Sequence, residues 1–320
     1  MNASVVYAFD APPRFGSFAD PIASENELVV QVSAAGLHPI VRALANGTHY
    51  GSTGKLPFIP GVDGVGRLES GVRVYFGASR SPFGSFAERT ITVPGFYLPL
   101  PDGLDDVTAA GIANPGMSSW VALIQRAGFV AGEKVLILGA TGTAGRLAVQ
   151  IAKHLGAARV YAVARNAQAL ESLKKLGADA IISLDQDRSA LLSALRREIA
   201  DSGLDIILDY LWGSPAESVL EAIAQKGLQQ KNARIRFVQI GESAGRSISL
   251  PAATLRSTAL ELVGSGFGSA SITAIFQALA DFLRFASNRQ LEFSTRVVPL
   301  RDVETAWPNS EQGARVVFRP

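Results

Sequence analysis

Cysteine is missing altogether from the 320 residues. Its absence excludes disulfides, thiolate metal sites and a cysteine nucleophile. Histidine is scarce, at three residues, which leaves few imidazoles for metal or proton chemistry. The net charge is small, +2 from 30 Lys and Arg against 28 Asp and Glu, and the basic residues are scattered along the chain, so there is no basic stripe for nucleic acid. No apolar run reaches the roughly 20 residues of a membrane helix. The opening MNASVVYAFDAPPRFG has no basic segment leading into an apolar one. A soluble cytoplasmic protein, without membrane or nucleic-acid partners, is expected.

What is present is apolar and patterned. Hydrophobic residues make up 48% of the chain, ample for buried cores, and the length exceeds that of most single domains. From Met1 to about Ile112 the chain is rich in Gly and Pro with short alternating segments such as NELVVQVSAAG and GSFAERTITVP, the pattern of a mostly β domain. In PGMSSWVALIQRAG, Pro115 stands near an expected helix start and Gly128 at its end. Beyond it, apolar strands interleave with amphipathic helices: KVLIL, a helix from about Thr143 to Leu155, RVYAV, a helix from Ala167 to Leu176, and AIIS. The series continues through SALLSALRREIA, DIILDY, SPAESVLEAIAQ, RIRFVQI and the late strand LELVGSG. This alternation demands a parallel sheet covered on both faces. After the helix SITAIFQALADFLRFASN, the segments STRVVPL and ARVVFRP resemble the first domain, to which the chain is expected to return.

KVLIL runs into Gly139, Ala140, Thr141, Gly142, Thr143, Ala144 and Gly145, and then into a helix. A dinucleotide pyrophosphate requires a tight turn, a bare backbone and a helix N-terminus with free N–H groups. In that frame Ala140 takes the first position, Gly142 the close approach and Gly145 the helix–strand contact. The strand before and the helix after turn a weak glycine signal into a strong one. At the tip of the second strand, where an acid would accept the adenosine ribose hydroxyls, the chain has Arg165. A guanidinium there suits a 2′-phosphate, so NADPH is the expected cofactor.

PFIPGVDGVG, GSFAERTITVP, LPLPDGLDDVTAA, KVLILGATGTAGRLAVQIAKHLGA, LDIILDYLWG and VVPLRDVETAW, in this order, resemble the medium-chain dehydrogenase/reductase superfamily, in its zinc-independent quinone oxidoreductase branch that includes zeta-crystallin. The resemblance covers nearly the whole chain. It implies an α/β fold in which a Rossmann doubly wound parallel sheet, residues 114–267, is inserted in a GroES-like mostly β domain of residues 1–113 and 268–320, with an active-site cleft between them. It also implies that Gly241 and Ser265 approach the nicotinamide side and that Ser118 and Ser119 line the nicotinamide pocket; serines in a helix's first turn also satisfy free N–H groups, and the two roles are compatible. A homodimer through the LELVGSG strand is implied as well, although Glu261 can equally protect a monomeric edge.

Zinc members of the superfamily hold their metal with a Cys and the His and Glu of a G-H-E segment. The matching residues here are Gly61, Val62 and Asp63, with His38 at the Cys position. One His and one Asp do not make a tetrahedral site, so no metal is expected. Hydride delivery to a quinone or enone, easier without a Lewis acid than alcohol oxidation, is the expected chemistry. The product then needs a proton, and His38 and Tyr50 are the two candidates to supply it. Where relatives carry N-P-x-D, this chain has His38 to Val41, which departs from the family's polar network. Two other readings stand beside a quinone or enone reductase. One is an enoyl-thioester reductase, with Arg80 and Arg89 near the carrier; the other is an NADPH-binding protein with little turnover.

Overall fold

The structure is a computed structural model that describes residues 1–224, 234–308 and 314–320. Gln225, at the end of the expected helix SPAESVLEAIAQ, lies outside the described residues. The chain divides into two compact units, Met1–Pro115 with Leu279–Pro320, and Gly116–Ala278. The sequence put these divisions after residues 113 and 267.

In the first unit, β1 (Asn2–Val5) and β2 (Arg14–Ser17) form an antiparallel pair. The long strand β3 (Leu28–Gly36) leads to α1 (Pro39–Ala45), which starts at a proline with His38 as its N-cap residue. Then β4 (Asp63–Leu68) and β5 (Arg73–Gly77) form a hairpin around Gly71, whose φ of +83° needs a residue without a side chain. They are followed by β6 (Arg89–Thr92) and β7 (Tyr97–Pro99).

Helix α2 (Asp106–Trp120) corrects the expected start near Pro115, which lies inside it. The true start is set by Asp105, whose carboxylate accepts the Thr108 N–H at 2.9 Å. Ser118 and Ser119 therefore sit in the helix's last turns, far from its unsatisfied N–H groups, and the capping role is closed to them. The helix runs on as a π-helical turn, Val121–Arg126, in which Ala127 N–H bonds the Ala122 carbonyl.

The second unit holds β8 (Lys134–Leu138), α3 (Thr143–His154), β9 (Arg159–Ala164), α4 (Ala167–Leu173), β10 (Ala180–Ser183) and α5 (Arg188–Ser202). After them come β11 (Ile206–Asp209), α6 (Gly213–Ile223), β12 (Ile235–Gln239), α7 (Ala252–Ser257) and β13 (Leu260–Gly264). The strands form one parallel sheet in the order β10-β9-β8-β11-β12-β13. Its apolar strands are buried on both faces, Leu136, Tyr161 and Phe237 on one, under Leu195 and Val219 of the helices, and Ile137, Ala162 and Val238 on the other. The strand order reverses between β8 and β11, and such a reversal opens a crevice at the carboxyl ends of the strands.

The chain then passes through α8 (Ile272–Ser287), β14 (Ser294–Pro299), α9 (Val303–Ala306) and β15 (Ala314–Arg319). β15 pairs antiparallel with β3 and parallel with β14, giving a sheet ordered β14-β15-β3-β4-β5-β7, with β6 also paired to β3. The two ends of the chain thus share one core, in which Phe86 meets Phe318 edge-on at 5.0 Å. Among the described residues no helix is long and apolar enough to cross a membrane.

Candidate functional site

The turn after β8 is built by glycine geometry. Gly139 takes a φ of +92°, so the left-handed position lies one residue before the Ala140 of the sequence frame. Ala140 is buried and, like Gly139, donates its N–H to the Val163 carbonyl of β9, which fastens the turn to the neighbouring strand. A Cβ on Gly145 would lie 2.3 Å from the Gly139 oxygen and 2.6 Å from the Ala140 Cα, so α3 meets the turn this closely only through glycine. On Gly142 a Cβ would come no nearer than 3.5 Å to any atom, and the residue is exposed. Gly142 is the N-cap residue of α3, and no side chain caps the helix there. Thr141, Thr143 and Ala144 are half-buried beside it. The result is a bare backbone at the positive end of a helix dipole, with no acidic residue in the first turn, which suits a phosphate.

The tip of β9 carries Arg165, which is exposed, and its guanidinium has no partner among the described residues. The next residue, Asn166, caps α4 by accepting the Ala169 N–H at 2.9 Å. A second cation, Arg146, follows Gly145 on α3 and donates to Ser172 Oγ at 3.0 Å. Its position just inside the helix was the available signal for it.

Across the strand reversal, Tyr210 joins segments that the sequence treats separately. Its hydroxyl lies 2.8 Å from Ser119 Oγ, and Ser119 is buried, 3.4 Å from the Ala144 carbonyl of α3. The Tyr210 Cβ stands 3.3 Å from the Cβ position of Gly139. Its carbonyl accepts from Ser243 Oγ and would lie 2.6 Å from a Cβ on Gly241. Burial raises the Tyr210 hydroxyl well above the usual phenol range, so it stays protonated. Nothing in the glycine motif pointed to this tyrosine; only its place directly after β11 did. Gly241 N–H bonds the Asp209 carbonyl and Ser265 N–H the Gln239 carbonyl, so both follow strand tips at the same end of the sheet. Ser118 is half-buried beside Ser119.

The first unit holds the other candidates. His38 is 1% exposed, and its Nε2 lies 3.1 Å from Asp63 Oδ1. Asp63 Oδ2 accepts Tyr75 Oη at 2.7 Å and Asn114 Nδ2 at 2.9 Å. Burial alone would raise the Asp63 carboxyl, but the charge and hydrogen bond of His38, with the bonds from Tyr75 and Asn114, hold it below its ordinary value. A Cβ on Gly36 would lie 2.6 Å from His38 Nε2, so the ring fits only because that residue is glycine. Tyr50 differs completely: it is 76% exposed and its ring stacks on His49, centroids 4.1 Å apart. Val41 is buried in the core. Among the described residues no group of three or more His, Cys, Asp or Glu is arranged to hold a metal ion.

A family model described as zinc-binding dehydrogenase matches residues 144–284. The probable NADPH-dependent quinone reductase tdiC of Emericella nidulans is 30% identical, with both chains covered in full. The human quinone oxidoreductase is 28% identical over 66% of each chain. Among solved structures, the quinone oxidoreductase of Thermus thermophilus, also determined in complex with NADPH, superposes over the whole of both chains with a TM-score of 0.81 and 29% identity. The chain belongs to the quinone oxidoreductase family of the medium-chain dehydrogenase/reductase superfamily.

Proposed function

We propose that this chain is a zinc-independent oxidoreductase that uses NADPH to reduce quinones or α,β-unsaturated carbonyls. The observation that carries the reading is the uncapped helix end at Gly142, with Arg165, whose guanidinium has no partner among the described residues, at the tip of the adjacent strand. Relatives and structures named as quinone reductases, one of them in complex with NADPH, support the same cofactor and substrate class.

Bound NADPH supplies a hydride. The protein's part is to hold and orient it. The N–H groups at the start of α3 receive the pyrophosphate, and Gly142 leaves room for it. Arg165 pairs with the 2′-phosphate. Ser118, Ser119, Gly241 and Ser265 would hold the nicotinamide half. The oxyanion left after reduction takes its proton from Tyr50, which solvent reaches, or from His38, whose imidazole is held on Asp63. Zinc-independence rests on the donor set: His38 and Asp63 are each other's partners, and the Val62 side chain has no ligating atom.

In the thioester alternative, Arg80 and Arg89 would meet an anionic carrier, but Arg80 pairs with Glu27 and Arg89 with Asp20. A homodimer through the exposed edge of β13, and a cytoplasmic location, belong to the same proposal. The test is steady-state oxidation of NADPH with small quinones, enones and an acyl-thioester, each with and without a zinc chelator. Chelator-insensitive turnover of quinones or enones is expected. Turnover of the thioester alone would favour the alternative, and NADPH binding without turnover of any substrate would favour the binding protein.

A further inference from the structure

Asp209 ends β11, the strand beside the one that runs into the glycine turn, and it is completely buried. Its Oδ1 accepts two backbone N–H groups, from Leu211 at 2.8 Å and Trp212 at 3.0 Å. These bonds hold a tight turn in which Trp212 takes a φ of +58°, a conformation a bulky side chain rarely adopts. The turn in turn braces the phosphate loop: Leu211 and Tyr210 side-chain atoms lie 3.1 to 3.3 Å from the Cβ position of Gly139.

The second carboxyl oxygen, Oδ2, is buried and has no hydrogen-bond partner among the described residues. Burial pushes the carboxyl up to about 6, against the pull of the Trp212 and Leu211 N–H bonds. The charged and titratable side chains around it leave that burial uncompensated. Lys134 and Arg236 lie toward the opposite ends of β8 and β12, Arg146 of α3 is bonded to Ser172, and Glu217 of α6 accepts the Ser249 N–H. Glu242 and Arg246, beyond β12, are exposed and face each other, and the Tyr210 hydroxyl is on Ser119.

We infer that Asp209 is a positioning residue for the dinucleotide, acting through Tyr210 and Leu211 on the glycine turn, and that its ionisation weakens cofactor binding. The inference rests on the NADPH reading above. In the neutral acid, Oδ1 still accepts both N–H groups, so the turn and the loop it braces are held with no charge behind them. Loss of the proton places an unpaired negative charge beside a loop that must receive a pyrophosphate. By linkage, bound dinucleotide favours the protonated acid, so affinity is constant while the free protein is protonated and falls as pH rises above about 6.

The test is fluorescence titration of NADPH from pH 6 to 8.5 with wild type, Asp209→Asn and Asp209→Ser. Both variants keep an acceptor oxygen and neither ionises, so one serves if the other does not fold. The 2′-phosphate of NADPH titrates in the same range, but it does so equally in all three proteins and cancels in the ratio of dissociation constants. The ratio of wild type to variant is expected to rise at least about threefold across this range. A ratio independent of pH, with binding intact, overturns the role of Asp209 and leaves the NADPH reading standing. Absence of NADPH binding by wild type at every pH overturns both.

Discussion

Gly142 and Gly145 belong to the same turn but answer to different constraints. Gly145 has backbone where a side chain would go, whereas Gly142 has open space. Gly145→Ala should cost about 1–3 kcal/mol of stability, read by urea unfolding, because α3 must move off the turn. Gly142→Ala should stay within about 0.5 kcal/mol of wild type in the same experiment. Its loss should appear in NADPH affinity, by roughly tenfold, since the methyl group occupies the approach of the pyrophosphate. Tyr210→Phe removes the hydroxyl from Ser119 and should cost about 1 kcal/mol. Asp63 adds a pH dependence of opposite sign to that of Asp209. Its carboxyl is held below the ordinary 3.8, so its contribution is complete above that value and is lost as pH falls through the lower, folded one. Acid unfolding of Asp63→Asn should lack that limb, and an unchanged acid midpoint would count against the His38–Asp63 pairing.

At the level of elements, pattern exposed some things and hid others. The strands of the parallel sheet were legible because burial on both faces makes them continuous apolar runs, as in KVLIL and DIILDY. The start of α2 was obscured by Pro115, which resembles a helix start; the Asp105 cap upstream was the better signal. The edge strand β13 carries an exposed Leu262 and the Glu261–Arg234 ion pair, both near solvent. If that edge pairs with a second copy, Leu262→Lys should shift the protein from dimer to monomer in sedimentation while NADPH binding persists. A wild-type monomer would dismiss the edge-to-edge dimer.

On the scale of the whole molecule, the return of the chain to its first unit was visible because STRVVPL and ARVVFRP are short β segments like those of the first domain, and β15 closes on β3. The glycine turn was visible because few residue types tolerate such backbone. The contacts of Tyr210, the burial of His38 and the orphaned oxygen of Asp209 were not visible, since each depends on distant segments meeting. Everything proposed for the molecule turns on whether its glycine turn holds a 2′-phosphorylated dinucleotide. The direct measurement is a fluorescence titration of NADPH against NADH in wild type and in Arg165→Ala. A preference for NADPH of about tenfold or more, worth about 1.4 kcal/mol, is expected in wild type, and it should fall toward unity in the variant. Equal binding of the two cofactors, or a preference that survives loss of Arg165, would contradict it.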